Sequence, residues 1–162
     1  MSTFCDDGKT WTRTSIIGPK SNETTLLHLG GKRWLAAARE TATDLFIYED
    51  EGVTWGKPNR VTAENEINGH LAHLKDGRIV LAYGNRIKTG DQLGVQAIFS
   101  SDEGKTWGGP NRFAHTKTTD CGYPSTVQRA DGKLVTAWYS GASEYHARYH
   151  MGVAIWDAPP KP

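Results

Sequence analysis

Asp120 and Tyr123, in the stretch Asp120-Cys121-Gly122-Tyr123-Pro124, are the pair of residues in this 162-residue chain best suited to proton chemistry. A free phenol titrates near 10, so a tyrosine acts as a nucleophile only when a neighbouring acid or base takes its proton. The competing reading is that Tyr123 packs in its X-Pro turn, with the hydroxyl bonded locally. Arg39 and Arg86 are candidates for anion binding, because the planar guanidinium fork matches a carboxylate bidentately. Salt bridges to Glu40, Glu66 or Asp120 would occupy them equally well. Glu40 could serve as acid or base if burial raised its pKa, or it could simply hold Arg39 in place. His70 and Asn85 add polar contacts, though a satisfied core histidine is the plainer account of His70. His146 and His150 share a strand face by period two but lack a third ligand, so no metal site is expected. Cys5 and Cys121 have neither disulfide-framework nor metal-site spacing, and Cys121 has no paired histidine signature. Phosphate loops and dinucleotide fingerprints are absent, and no cofactor is expected.

Something must position these residues, and an internal repeat says what. Asp6-Asp7-Gly8-Lys9-Thr10-Trp11 recurs as Asp50-Glu51-Gly52-Val53-Thr54-Trp55 and as Asp102-Glu103-Gly104-Lys105-Thr106-Trp107. The three tryptophans follow one another at about 40–50 residues, the period of a four-stranded propeller blade. Between the boxes lie hairpins. Thr24–Leu29 and Arg33–Ala38 flank Gly30-Gly31, His70–Leu74 and Arg78–Tyr83 flank Asp76-Gly77, and Ser125–Arg129 and Lys133–Tyr139 flank Asp131-Gly132. Gly-Gly and Asp-Gly between apolar runs are tight-turn signals. Third strands are expected at Leu45–Tyr48, Val95–Ser100 and Arg148–Trp156, with short fourth strands near Asn59–Thr62 and Asn111–Ala114. A strand at Thr12–Ile17 would end a preceding blade. The expected division is 1–17, 18–63, 64–115 and 116–157. Each D-x-G-x-T-W box reads as a turn device, with Asp accepting backbone amides and Trp filling a gap between sheets. A single such loop has too few oxygens for calcium.

Composition excludes several classes. Lys+Arg number 19 against 18 Asp+Glu, a formal charge of +1. That balance argues against a nucleic-acid or anionic-membrane binder relying on bulk charge. No apolar run approaches the roughly 18 residues of a membrane span. The N-terminus lacks the basic and apolar regions of a signal peptide, so a cytoplasmic location is expected if the chain is complete. With 6 Trp, 6 Tyr and 4 Phe the chain has ample surface to bury, unlike a disordered segment.

The boxes resemble the Asp-box, or BNR, repeats of the sialidase superfamily, whose members are six-bladed propellers. Thr24–Trp55 is similar to the first full blade of sialidases, and Asp120–Gln128 with Asp131-Gly132 to their tyrosine-bearing strand. The likeness is nearer to bacterial sialidase-like proteins of unassigned substrate, through Tyr83-Gly84-Asn85-Arg86, Asp120–Ser125 and Tyr149–Val153. Where sialidases carry an Arg-Ile-Pro, this chain has Ser21-Asn22-Glu23-Thr24.

The resemblance implies an all-β propeller of four-stranded blades, three in this chain and half of a six-bladed whole. It further implies a sialidase-like glycoside hydrolase acting on an acidic or polar glycan. In that reading Tyr123, Asp120 and Glu40 carry the chemistry, and Arg39, Arg86, Asn85 and His70 bind substrate. Tyrosine replaces the usual carboxylate nucleophile in that chemistry, since a phenol meets less repulsion from an anionic sugar. The alternative is a non-catalytic propeller that binds glycan or protein. Propeller geometry would gather Asn22, Glu23, Arg39, Glu40, Glu66, Asn68, His70, Asn85, Arg86, Asp120, Tyr123, Glu144 and His146 on the face opposite the boxes. Three blades are too few to close, so a homodimer completing six blades is expected, or else a longer chain.

Overall fold

The computed structural model describes residues 9–10, 15–50 and 53–161. Its strands run in chain order as β1 Thr24–Gly30, β2 Arg33–Arg39, β3 Thr43–Tyr48, β4 Asn59–Arg60, β5 Glu66–His73, β6 Ile79–Asn85, β7 Gly94–Ser100, β8 Gly108–His115, β9 Cys121–Gln128, β10 Leu134–Ser140 and β11 His150–Trp156. They form antiparallel sheets β1-β2-β3-β4, β5-β6-β7-β8 and β9-β10-β11. The fold is therefore an all-β arc of propeller blades, two with four strands and one with three. Ser15–Ile17 are not a strand, and most of the expected Thr12–Ile17 strand, like the first box, lies outside the described residues.

Period-two alternation decides which residues form the core. Leu35, Ala37 and Leu45 leave the first blade on one face and meet Leu71, Ile79, Leu81, Tyr83 and Ile98 of the second. The opposite face of the second blade presents Val80, Ala82, Ala97 and Phe99 to Leu134 and Trp156 of the third. A blade between two others must be apolar on both faces, and β6 and β7 are buried at every position. The third blade is different. β9 and β10 alternate between buried and more open residues and β11 between half-buried and exposed ones, and Val127, Met151, Val153 and Ile155 are exposed.

The described boxes are turn devices. Asp50 accepts hydrogen bonds from the Val53 and Thr54 amides at 3.1 and 3.0 Å and from the Thr54 hydroxyl at 2.6 Å. Asp102 repeats this with Thr106, whose hydroxyl and amide lower its pKa to about 2. Trp107 donates Nε1–H to the Gly104 carbonyl at 3.0 Å and packs against the core between the first two blades. Both carboxylates are engaged by donors of their own loops.

Candidate functional site

The inner strands β1, β5 and β9 lie side by side. The end of β2 and the segments flanking β1, β6 and β9 converge beside them. Register explains the first contact. Thr24 pairs with Ala38 in the β1–β2 hairpin, which places Glu23 opposite Arg39, and the Arg39 amide donates to the Glu23 carbonyl at 3.0 Å. The Arg39 side chain then donates Nη1–H to both Glu23 carboxylate oxygens at 3.0 and 3.1 Å. The partner of Arg39 is thus Glu23, and Glu40, one residue beyond the end of β2, lines neither the cleft around Arg39 and Arg86 nor the cavity around His70. It acts electrostatically on Arg60, beyond the site.

Tyr123 donates its hydroxyl to Glu23 Oε1. The expected partnership of Tyr123 with Asp120 does not form. Asp120 instead accepts the hydroxyls of Tyr139 and Tyr149, which hold its pKa below the ordinary carboxylate range. The Tyr139 phenol is pushed up to about 12, first by desolvation and then by its bond to Asp120. Tyr123 is 46% exposed and stacks obliquely on Tyr139 at 5.7 Å between ring centroids. Its φ is +48°, an outlier for a bulky side chain, and the residue before a proline resists such geometry. Strained backbone of this kind clusters at functional sites.

Arg86 donates Nε–H to the Cys121 carbonyl at 2.9 Å and Nη2–H to the Tyr139 hydroxyl oxygen at 3.1 Å. Its Nη1 has no partner among the described residues. Arg39 Nε is buried and likewise unpartnered. Arg39, Arg86, Lys88 and Asp120 line one cleft of about 560 Å³, with Asn65, Thr89 and Thr119. Two guanidinium groups and an ammonium against one carboxylate make a surface suited to an anion. Tyr123 lies outside the lining of this cleft, but both arginines act on its hydroxyl electrostatically and favour the ionised form, while its bond to Glu23 dominates and raises its pKa. Glu23 is pushed the other way, first by the Tyr123 hydroxyl and further by Arg39.

The remaining expected residues divide. Asn85 is buried and donates to Glu66 Oε1 at 2.9 Å while accepting the Ile87 amide at 3.0 Å. It buttresses the strand behind the cleft and is not placed to touch a ligand. His70 accepts the Thr126 amide on Nδ1 at 3.3 Å, and burial depresses its pKa. It lines a separate cavity of about 210 Å³ with Glu23, Asn68 and Tyr123. Cys121 is fully buried. His146 and His150 lie 5.0 Å apart, tilted, in a depression between β8 of the second blade and the third blade, and no cluster of three metal-ligating residues exists among the described residues. Sequence reasoning gave no role to Glu23, Tyr139 or Tyr149. The Glu23–Arg39 pair escapes local reading, because the register of the hairpin shifts by one residue between His28 and Gly30. The two tyrosines carry no local signal, since they meet Asp120 only through the β9–β10–β11 pairing.

Comparison with known proteins follows this geometry. The chain is similar to a protein of unknown function from Dyadobacter fermentans DSM 18053 at 22% identity and a TM-score of 0.77, over 95% of this chain and 44% of that one. It is also similar to a xylan β-1,4-xylosidase from Bacillus halodurans C-125 at 14% identity and a TM-score of 0.59, over 85% of this chain and 28% of that one. It thus spans less than half the length of either, and likenesses at such identities concern the fold. No curated protein sequence matches it. The family described as BNR repeat-like domain matches residues 1–136. The repeat, the blades and this match together establish that the chain belongs to the BNR repeat-like family of the sialidase-like superfamily.

Proposed function

We propose that this unit carries the binding cleft and nucleophile of a sialidase-like glycoside hydrolase acting on an acidic glycan. The observation that carries the reading is the Tyr123 hydroxyl bonded to a carboxylate, Glu23, which is paired with Arg39 of the cleft that Arg86 and Lys88 also line. The sugar carboxylate is held by Arg86 and Arg39. Tyr123 Oη forms a bond to the anomeric carbon as the glycosidic C–O bond breaks, and its proton passes to Glu23. Asp120 stays ionised on its two tyrosine donors, so the departing oxygen takes its proton from solvent. A phenol held above its usual pKa and a carboxylate held below its own oppose proton transfer at rest, and this favours a second reading, a propeller that binds acidic glycans without cleaving them. Arg86→Lys tests the cleft in both readings. Binding of a methyl uronide, measured by calorimetry, is expected to weaken about tenfold through loss of the fork, with neutral methyl glycosides unchanged. Equal losses for both would make Arg86 a structural residue.

A closed propeller would wall this cleft on its open side. The first and second blades each bury one face under the inner strand of the next blade, β5 and β9. The third blade offers the same kind of face uncovered, with Val127, Val153 and Ile155 exposed. We propose that a second copy covers it, using the face of the first blade on which Leu26 is exposed. Sedimentation at micromolar concentration is expected to give a dimer, and a stable species near 17.9 kDa would overturn this.

A further inference from the structure

The inner strands β5 and β9 lie side by side, and both break register. β5 slips against β6 between Ile67 and His70, and β9 slips against β10 opposite the Ala137–Tyr139 step. Bulges re-aim side chains and gather beside active sites. Each of these holds a non-glycine residue in the left-handed region, Asn68 at φ +62° and Tyr123 at +48°. Both residues line the 210 Å³ cavity, together with Glu23 and His70.

Asn68 is the anomaly there. It is only 4% exposed, and neither Nδ2 nor Oδ1 has a hydrogen-bond partner. Buried side-chain amides are nearly always satisfied, and this one offers donors and an acceptor a short distance apart. His70 spends Nδ1 on the Thr126 amide, so its remaining ring nitrogen carries the proton and is a donor. The cavity lining contains no lysine or arginine, which sets it apart from the cationic cleft. Its chemistry suits a neutral group that both donates and accepts.

We propose that Asn68 is a specificity-determining residue whose amide binds a vicinal diol of a neutral sugar unit beside Tyr123. Oδ1 accepts from one hydroxyl and Nδ2–H donates to the next. This rests on the glycan reading above, and the test separates the two. Asn68→Gly removes the amide while keeping a backbone that tolerates positive φ, and Asn68→Asp keeps the shape but loses both donors. The probes are methyl pyranosides, their monodeoxy counterparts and a methyl uronide, titrated by calorimetry. At least one methyl pyranoside is expected to bind the native protein and to lose tenfold or more in both variants. Deleting the matching hydroxyl should weaken binding to the native protein alike and cost Asn68→Gly nothing further. Unchanged pyranoside binding in Asn68→Gly, with the uronide still bound, would overturn the assignment and leave Asn68 as the seat of a buried water. Failure of the native protein to bind any pyranoside or uronide would overturn the glycan reading itself.

Discussion

Tyr123→Phe is expected to abolish glycoside turnover, with a loss of about a thousandfold or more, while leaving uronide binding nearly intact. The substitution deletes one oxygen. The ring keeps its place against Tyr139, and Glu23 keeps both bonds from Arg39. What disappears is the atom that would form the bond to the sugar, and removal of a nucleophile or its proton acceptor typically costs at least that much. The native pH profile supplies an independent check. Glu23 must be ionised to accept the proton, and the Tyr123 hydroxyl and Arg39 hold its pKa below the ordinary glutamate range. Activity is therefore present above that range and lost only as pH falls through the depressed value, so the acid limb should lie below the range of an ordinary glutamate. The same shift means that Glu23 contributes stability above its unfolded-state pKa, which fades as pH falls through the folded one. Turnover within tenfold of native in Tyr123→Phe would sink the nucleophile assignment. A native protein that binds uronides without cleaving them, and a variant that binds them equally well, would establish the non-catalytic reading.

How much of this was legible in the sequence depends on the range of the interaction. Strand positions follow from local signals, namely the Asp-Gly turns, the apolar runs and the box period: β1 to β3, β6, β7, β10 and β11 overlie the expected segments closely, whereas β5, β8 and β9 begin three or four residues earlier. The fourth strand of the first blade is shorter than expected, at Asn59–Arg60. The site was legible as a set of residues on one face but not as a network. Adjacency suggested Glu40 for Arg39, whereas the hairpin register, shifted by one residue near its turn, selects Glu23. Proximity in sequence suggested Asp120 for Tyr123, whereas the β9 bulge turns Tyr123 toward the first blade and leaves Asp120 to Tyr139 and Tyr149. Asn85 reads as an exposed polar residue by type, yet its strand is buried on both faces.

Gly84 shows how closely the site depends on the packing of blades. It lies in β6 where β9 crosses most tightly. A Cβ there would sit 2.9 Å from the Gly122 Cα and 3.1 Å from the Cys121 carbonyl oxygen. Both are backbone atoms and cannot yield by changing rotamer, so Gly84→Ala must push β9 outward. That strand is held by the Arg86 bond to the Cys121 carbonyl, and it carries Asp120 and Tyr123 at its start. Overpacking of a core costs roughly 1–3 kcal/mol, and the absence of side-chain relief puts this case at the top of that range, about 3 kcal/mol. For a chain of this size the melting temperature should fall by about 10 °C. The displacement should also part Tyr123 from Glu23, so the acid limb of any residual activity should rise toward the ordinary carboxylate range. Gly108→Ala is the control, since a Cβ there meets nothing within 4 Å, and it should unfold within about 0.5 kcal/mol of native. Urea titration of the three proteins decides the matter. A Gly84→Ala protein as stable as Gly108→Ala would mean that β6 and β9 are not in backbone contact, and the inter-blade packing that positions Tyr123 would have to be redrawn.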